Sequence, residues 1–567
     1  MRPLPRNSLL FFSAFALMLA LAATVACVGA PQTEPADEDP TQATSEEAPR
    51  SDRYVIKVAL PPSVESDSTP RGGGRLLLFF VPDTDRWVGV EPASGPFFQR
   101  LQPIASIVAA SASEGTLFTV DDAHATVFGG PLNELTGAWR VQAVLDTDFT
   151  QRGHRGPGNL YSESKSVALS LNRADEIQLE LVHRIEPAVK PARVPGVEWI
   201  ERESALLTKH FGKPTTLRAG VVLPYGYDDL SFDRRMWPTI YVIGGFGVTH
   251  RAAADAAAAL RAPEARSAIP QALWVFLDAE SAWGHHGFCD SDANGPVGRA
   301  LIEEFIPFLE ERFRIITTAD ARVVTGHSSG GWTALHLQLT YPLVFGACFA
   351  SAPNPVDFSA FQRTNLYRDA SLFLAKDGSE TPSLRGPLGP NEDRVFMTAR
   401  DEVGSEYAID PTGRSGEQWS AWNAMWSPLD PTSGAPRALC DPQSGAIDPV
   451  TVEAWSKHDF AKLLERDPKK ISALFATRIR IICGSRDSFY LNEAVAQLQE
   501  KLAVARAAHG VSEGAGSIEI IDGLTHDTTQ AAARLRFHRG IVEHLRAHGL
   551  GEAPPRAAGL DPTPDTK

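Results

Sequence analysis

A serine hydroxyl is a poor nucleophile until a neighbouring base takes its proton and an acid orients that base. Three residues of this 567-residue chain have the types and the surroundings for such an arrangement. Ser328 is the centre of Gly326-His327-Ser328-Ser329-Gly330, a G-x-S-x-G run. The preceding "ARVVT" reads as a buried strand and the following "GWTALHLQLT" as a helix start. So sharp a strand-to-helix turn strains the central residue and lifts its side chain above the sheet edge. Side chains at the flanking glycines would clash with the neighbouring strand and helix. Ser329, at the helix start, offers a backbone N–H to an oxyanion. The stretch "RIRIICGSRDSFYL" leaves an apolar strand and meets Asp487, and "SIEIIDGLTHDTT" leaves the last strand and meets His526. Read singly, Asp487 caps a turn and His526 makes a local loop hydrogen bond. Together, in the order Ser, Asp, His and each beyond a strand, they predict a triad of nucleophile Ser328, base His526 and orienting acid Asp487.

Each role has rivals. Asp357 in "APNPVDF" follows the strand after the elbow and is the alternative acid. His327 sits inside the elbow and points away from the nucleophile. His285 and His286 in "WGHHGF" lie in a loop on the same edge and are expected to touch substrate, as is Trp332. His509 reads as a helix end before Gly510. A second oxyanion donor is expected in the loop after the first long buried strand, "VIGGFGVTH". The backbone N–H of Phe246 is assigned there, with Gly247 the runner-up.

Residues so far apart in sequence need a frame to bring them together. From about Val197, short apolar runs such as "PTIYVIGG", "ALWVFLDA" and "FGACFASAP" alternate with helical stretches such as "GRALIEEFIPFLEERF". This is the pattern of a largely parallel sheet covered on both faces, and with the chain order of the three residues it predicts an α/β-hydrolase sheet over 197–548. "TLRAGVVLP" alternates and reads as an edge strand. Residues 54–185 alternate with period two, as in "WRVQAVL" and "EIQLELVHRI", and predict an all-β sandwich domain. It holds no catalytic constellation, so a structural or docking role is expected of it. Residues 354–477 form a long insertion ahead of Asp487. It carries Trp419, Trp422, Trp426 and Trp455 and is expected to cap the site, the tryptophans lining an apolar pocket. The alternative is a peripheral elaboration with its own small core.

The segments "RAGVVLPYGYDD…WPTIYVIGGFG", "GHHGFCDSDANGPVGRALIEEFIPFLEERF" and "VVTGHSSGGWTALHLQLTYPLVFG" together resemble the putative-esterase family of α/β-hydrolases. That family includes esterase D, feruloyl and acetylxylan esterases, trilactone-siderophore esterases and mycolyltransferases. The similarity covers roughly 197–548, and the elbow is its most specific part. It implies that Ser328, Asp487 and His526 are catalytic and that the substrate is a small-molecule or polymer-linked ester, with no metal or organic cofactor. Relatives usually carry His-Gly where this chain has Gly244-Gly245, so the oxyanion loop departs from the family pattern. The β domain is similar to the sandwich modules that precede some of these esterases. An acyltransferase on the same triad is the nearer alternative function, and a catalytically silent surface-binding protein the more distant one.

The bulk properties set outer bounds. A formal net charge of −15 argues against a nucleic-acid partner, which calls for a basic surface. Arg2 and Arg6, the apolar run from Leu9 to Ala26, and small residues before Cys27 follow the grammar of an export signal over 1–27. "TVAC" resembles a bacterial lipobox, which predicts a lipid anchor on Cys27. Ordinary cleavage to a periplasmic or secreted form, or an uncleaved anchor, are the alternatives. Residues 28–53 are acidic, rich in Pro, Ser and Thr, and read as a disordered tether; 549–567 read as a disordered tail. Of the other cysteines, Cys348 and Cys483 sit in apolar strands, while Cys289 and Cys440 lie in loop-like sequence and can pair in an oxidising compartment. None has a metal-ligand spacing. If Cys27 is lipidated, radiolabelled palmitate should enter the wild-type protein and not Cys27→Ser; equal incorporation in both would rule this residue out.

Overall fold

The computed structural model describes residues 54–61, 73–97, 101–113, 115–170, 175–229, 234–262, 268–389 and 392–550. The segments read as an export signal (with Cys27) and as the 28–53 tether, and all but the start of the expected 549–567 tail, lie outside them.

Nine strands build the first domain: β1 (Tyr54–Ala59), β2 (Gly74–Pro82), β3 (Ile104–Ala109), β4 (Leu117–Val120), β5 (Thr126–Phe128), β6 (Gly137–Asp146), β7 (Leu160–Ser162), β8 (Lys165–Leu169) and β9 (Asp175–Arg184). They run in the order β4-β1-β9-β7-β6-β2-β3-β5, with β8 also paired to β6. They thus form one continuous sheet, β7 pairing with β9, where two separate sheets are expected of a sandwich. Alternation decides the inside: Ile56, Val58, Leu76, Leu78, Phe80, Val141, Ala143 and Leu145 share one core. β2, however, is buried on both faces. Its Leu77 and Phe79 belong to a second cluster with Ala408 and Ile409 from far along the chain.

The second sheet has eight strands. These are β10 (Val197–Glu203), β11 (Thr216–Val222), β12 (Thr239–Ile243), β13 (Leu273–Leu277), β16 (Arg322–His327), β17 (Ala347–Ser351), β20 (Ile479–Gly484) and β21 (Ser517–Ile521). Between them lie two hairpins, β14 (Glu280–Ser281) with β15 (Gly284–His285), and β18 (Pro382–Gly389) with β19 (Glu392–Thr398). The order is β10-β11-β13-β12-β16-β17-β20-β21. β11 is antiparallel to both its neighbours, and every later neighbouring pair is parallel. This is an α/β-hydrolase sheet. β11 is therefore not the edge: β10, "VEWIERE", covers it. Glu198, Glu201 and Glu203 on β10 are exposed, which suits a strand that must not recruit another chain. The central strands are apolar throughout because successive residues face opposite covered sides. Val324, Cys348 and Ala350 enter the core on one side, and Val323, Ala347 and Phe349 the core on the other, beneath Ala533, Phe537 and Ile541 of the helix His526–Ala547.

The chain leaves this sheet after β17 and rejoins it at β20. Within that excursion the helix Ala399–Ile409 packs on β3 and β5 and supplies the outer cover of β2. Arg75 of β2 forms a buried ion pair at 3.1 Å with Asp410, which ends this helix. Removing one member of a buried pair leaves the other charge desolvated and unpaired. Arg75→Ala should therefore lower the unfolding free energy by about 3–5 kcal/mol, and Arg75→Ala/Asp410→Asn should recover part of it. Equal denaturant midpoints for wild type and Arg75→Ala would show that the pair does not hold the β domain to the insertion.

Candidate active site

β16 passes directly into the helix Ser329–Thr340, and Ser328 stands at the junction with φ 58° and ψ −123°. Such a conformation costs a residue with a side chain on the order of 1–3 kcal/mol. It is held on both sides of the residue. The Ser328 N–H donates to the Ser351 carbonyl at the end of β17 (3.0 Å), and its carbonyl accepts from the Trp332 and Asn354 N–H groups (3.0 and 3.2 Å). The flanking glycines are sterically required. A Cβ on Gly326 would lie 2.2 Å from the Gly330 carbonyl oxygen, and one on Gly330 would lie 2.1 Å from that of Ile243.

Asp487 follows β20 and is fully buried. Its Oδ1 accepts from the N–H groups of Phe489 and Leu491 (2.9 and 3.2 Å), and its Oδ2 meets His526 Nδ1 at 2.8 Å. His526 opens the helix His526–Ala547, whose start is fixed by a capping box between Thr525 and Thr528. Its ring lies 4.5 Å from that of His327, beside Ser328, and is met edge-on by Phe489. Burial pushes the His526 pKa down, but the Asp487 charge and hydrogen bond outweigh it, and the net shift is upward. His327 goes the other way, well below the usual histidine value, through burial and the nearby His526. The rival acid is engaged elsewhere: buried Asp357 pairs with Lys501 at 2.6 Å and accepts from Ser359. His509 ends the helix Leu491–His509, closed by Gly510.

The loop after β12 runs alongside the serine, Gly245 lying so close that a Cβ there would sit 3.5 Å from Ser328 Cβ. The first N–H groups of a helix lack intrahelical acceptors, which is the situation of Ser329. Its Oγ accepts from Asn354 Nδ2 (3.0 Å) and donates to Gln418 Oε1 (3.4 Å). Asn354 and Gln418 carry no motif in the sequence; folding alone brings them to the elbow. Arg385 on β18 braces the acid, its Nε donating to the Asp487 carbonyl (3.0 Å). Among the described residues, no group of three or more His, Cys, Asp or Glu side chains is arranged to hold a metal ion.

The other candidate residues are engaged within the fold. His285 and His286 are buried. His285 Nδ1 accepts from the Gly287 N–H, so Nε2 carries the proton and faces the Gly244 carbonyl at 3.3 Å, fastening the loop before Phe246. Burial lowers the pKa of His285 to about 4 and that of His286 to about 3, so both are neutral at physiological pH. Trp332 is 1% exposed and stacked between His336 and Phe460, in the core. The four insertion tryptophans form an aromatic core with Phe358 and Phe361, for example Trp426–Trp455 and Trp419–Trp422 at 4.9 Å, all 4% exposed or less. Trp419 also edges a cavity of about 520 Å³, but none of Ser328, Asp487 and His526 lines it. Cys289 and Cys440 are free thiols, both buried.

Residues 213–517, just over half of the chain, match the model of a family described as "Putative esterase". The chain belongs to this family. It is a carboxylic ester hydrolase on an α/β-hydrolase sheet. No curated protein matches it. Among solved structures it resembles a ferulic acid esterase (15% identity, 61% of this chain and 98% of the other, TM-score 0.38). It also resembles a ferulic acid esterase from Anaeromyces mucronatus (15%, 63% and 92%, TM-score 0.31) and an S-formylglutathione hydrolase from Agrobacterium tumefaciens (14%, 62% and 97%, TM-score 0.33). With TM-scores this low, the assignment rests on the family match and the strand order.

If His526 is the base, it must be neutral to take a proton, and its raised pKa sets where activity appears. kcat/KM should rise with pH along a limb whose midpoint lies above the ordinary histidine value of about 6.5. In Asp487→Asn the larger upward influence is lost, and burial remains beside the smaller pull of Asp527. The limb should then move to lower pH while turnover falls by on the order of 10⁴-fold. A pH–rate profile whose midpoint is the same in both proteins would separate Asp487 from the base.

Proposed function

We propose that this chain is an exported serine esterase in which Ser328, His526 and Asp487 cleave a carboxylic ester. The observation that carries the reading is the His526–Asp487 hydrogen bond of 2.8 Å, lying against the strained turn that holds Ser328. Asp487 keeps the His526 proton on Nδ1, which leaves Nε2 as the basic nitrogen. Ser328 Oγ attacks the ester carbon while Nε2 takes its proton, and the carbonyl electron pair moves onto oxygen. The Ser329 N–H, and the Phe246 N–H from the loop beside the serine, stabilise that oxyanion. The tetrahedral intermediate collapses, His526 protonates the departing alcohol, and an acyl-serine remains. Water then enters, gives a proton to His526 and attacks the acyl carbon; the acid leaves and Ser328 recovers its proton.

The strain at Ser328 supports chemistry over silent binding, because a surface-binding protein has no use for a serine held at φ 58° above a sheet edge. The basic start, the apolar run and the small residues before Cys27 support export to the bacterial envelope with a lipid anchor. A small-molecule or polymer-linked ester outside the cytoplasm is the substrate class that fits.

Ser328→Ala should stay folded, lose fluorophosphonate labelling and lose on the order of 10⁴-fold or more in turnover of a short activated ester. Near wild-type turnover in that variant would sink the assignment.

A further inference from the structure

The β domain carries no catalytic motif, yet one of its side chains reaches the active-site edge. Arg152, in the loop between β6 and β7, is largely buried and makes four contacts with three other segments. Its guanidinium carbon lies 4.5 Å from the centre of the Phe246 ring, on the oxyanion loop. Its Nη1 donates to Glu280 of the β14–β15 hairpin at 3.2 Å. Its Nε donates to the Gly416 carbonyl at 3.0 Å, and its Nη2 lies 3.8 Å from a Glu417 carboxylate oxygen. Arg155 pairs with the other oxygen of Glu417. The approach is tight: Gly153, at φ 51°, lies so near that a Cβ there would sit 2.6 Å from the Ser415 carbonyl oxygen.

These contacts reach both sides of the oxyanion site. On one side, Phe246 carries the assigned second donor, and its ring is the face on which Arg152 rests. On the other, Glu417 precedes Gln418, whose Oε1 receives the Ser329 hydroxyl, next to the first donor. Two carboxylates and a carbonyl engage the guanidinium, so its contacts serve position rather than recognition of an incoming anion. Oxyanion donors act only if held at the right distance before the reaction, and an error of about 1 Å costs on the order of 100-fold.

We propose that the β domain completes the active site, with Arg152 as a positioning residue that sets the Phe246 loop against the Ser329 end of the oxyanion site. This rests on the reading of Ser328 as nucleophile. The test uses the full chain with Arg152→Ala, Arg152→Lys and Glu280→Gln, and Ser328→Ala in parallel. The readouts are kcat and KM on p-nitrophenyl acetate, the affinity of a trifluoromethyl ketone, whose serine adduct bears an oxyanion, and the thermal midpoint. Arg152→Ala should lower kcat by about 10- to 100-fold with KM within about threefold, and the ketone affinity should fall in parallel. Arg152→Lys keeps the charge over the ring but not the forked bonds, so it should recover only part. Glu280→Gln should shift kcat the same way by less. A role in stability alone would lower the thermal midpoint and leave kcat and the ketone affinity of the folded protein intact, and that result would overturn the proposal. So would a rise in KM at unchanged kcat, which would make Arg152 a substrate contact. If Arg152→Ala does not fold, Arg152→Lys and Glu280→Gln decide, and wild-type kcat and ketone affinity in both overturn it. An active Ser328→Ala removes the underlying reading, whereas an inactive Ser328→Ala beside a fully active Arg152→Ala removes this inference alone.

Discussion

Ser328 sits at φ 58°, and the surrounding architecture has to hold it there. The cost, on the order of 1–3 kcal/mol, is small beside the stability of a large core, but the residue would relax unless its neighbours prevented it. The neighbours are backbone: the Ser351 carbonyl from the next strand takes its N–H, and the helix that follows takes its carbonyl through Trp332. Both depend on β16 lying parallel between β12 and β17, and on glycine at 326 and 330 so that the strand, the turn and the helix can touch. A sheet buried on both faces is what makes these strands immobile enough to bear the strain.

The remaining groups are fixed one by one to the same edge. A carboxylate with no exposure, as at Asp487, is tolerable only with its lone pairs occupied. Two N–H groups of the following turn occupy one oxygen, which leaves the other to His526. The turn is secured from outside the sheet by the β18–β19 hairpin, where Arg385 holds the Asp487 carbonyl and Asp393 pairs with Arg486 at 2.6 Å. The insertion thus acts on the acid through polar contacts, while its tryptophans turn inward and stack.

What the sequence discloses and what it conceals follow from the range of the interactions. The sheet is legible because a buried parallel strand needs apolar residues in unbroken runs, and the elbow because its steric demand falls on glycines within a few positions of Ser328. The pairing of Asp487 with His526 is legible because each closes a strand whose place in the order the runs already imply. β11 reads as an edge because its first half alternates; its cover, β10, is too rich in glutamate to stand out as a strand. The tryptophans mislead because an aromatic cluster looks the same in sequence whether it lines a cavity or fills one. Burial separates the two, and burial depends on Phe358 and Phe361 folding in among them. Arg152 leaves no local trace at all, since its partners lie 128 and 264 residues away.

Three fastenings link the β domain, the insertion and the hydrolase sheet. The insertion helix Ala399–Ile409 covers the outer face of β2 and is pinned by Arg75 and Asp410. The β18–β19 hairpin ties the insertion to the Asp487 turn. Arg152 and Arg155 tie the loop before β7 to Glu417, and Arg152 continues to Phe246 in the loop after β12 and to the β14–β15 hairpin. The parts they reach are not one domain's own residues: the Asp487 turn is held by the insertion through Arg385, and the loop carrying Phe246 meets Arg152 of the β domain. The edge that carries Ser328, Asp487 and His526 is thus contacted from the β domain, the insertion and the sheet itself, and a segment with no catalytic motif stands beside it by where the fold places it.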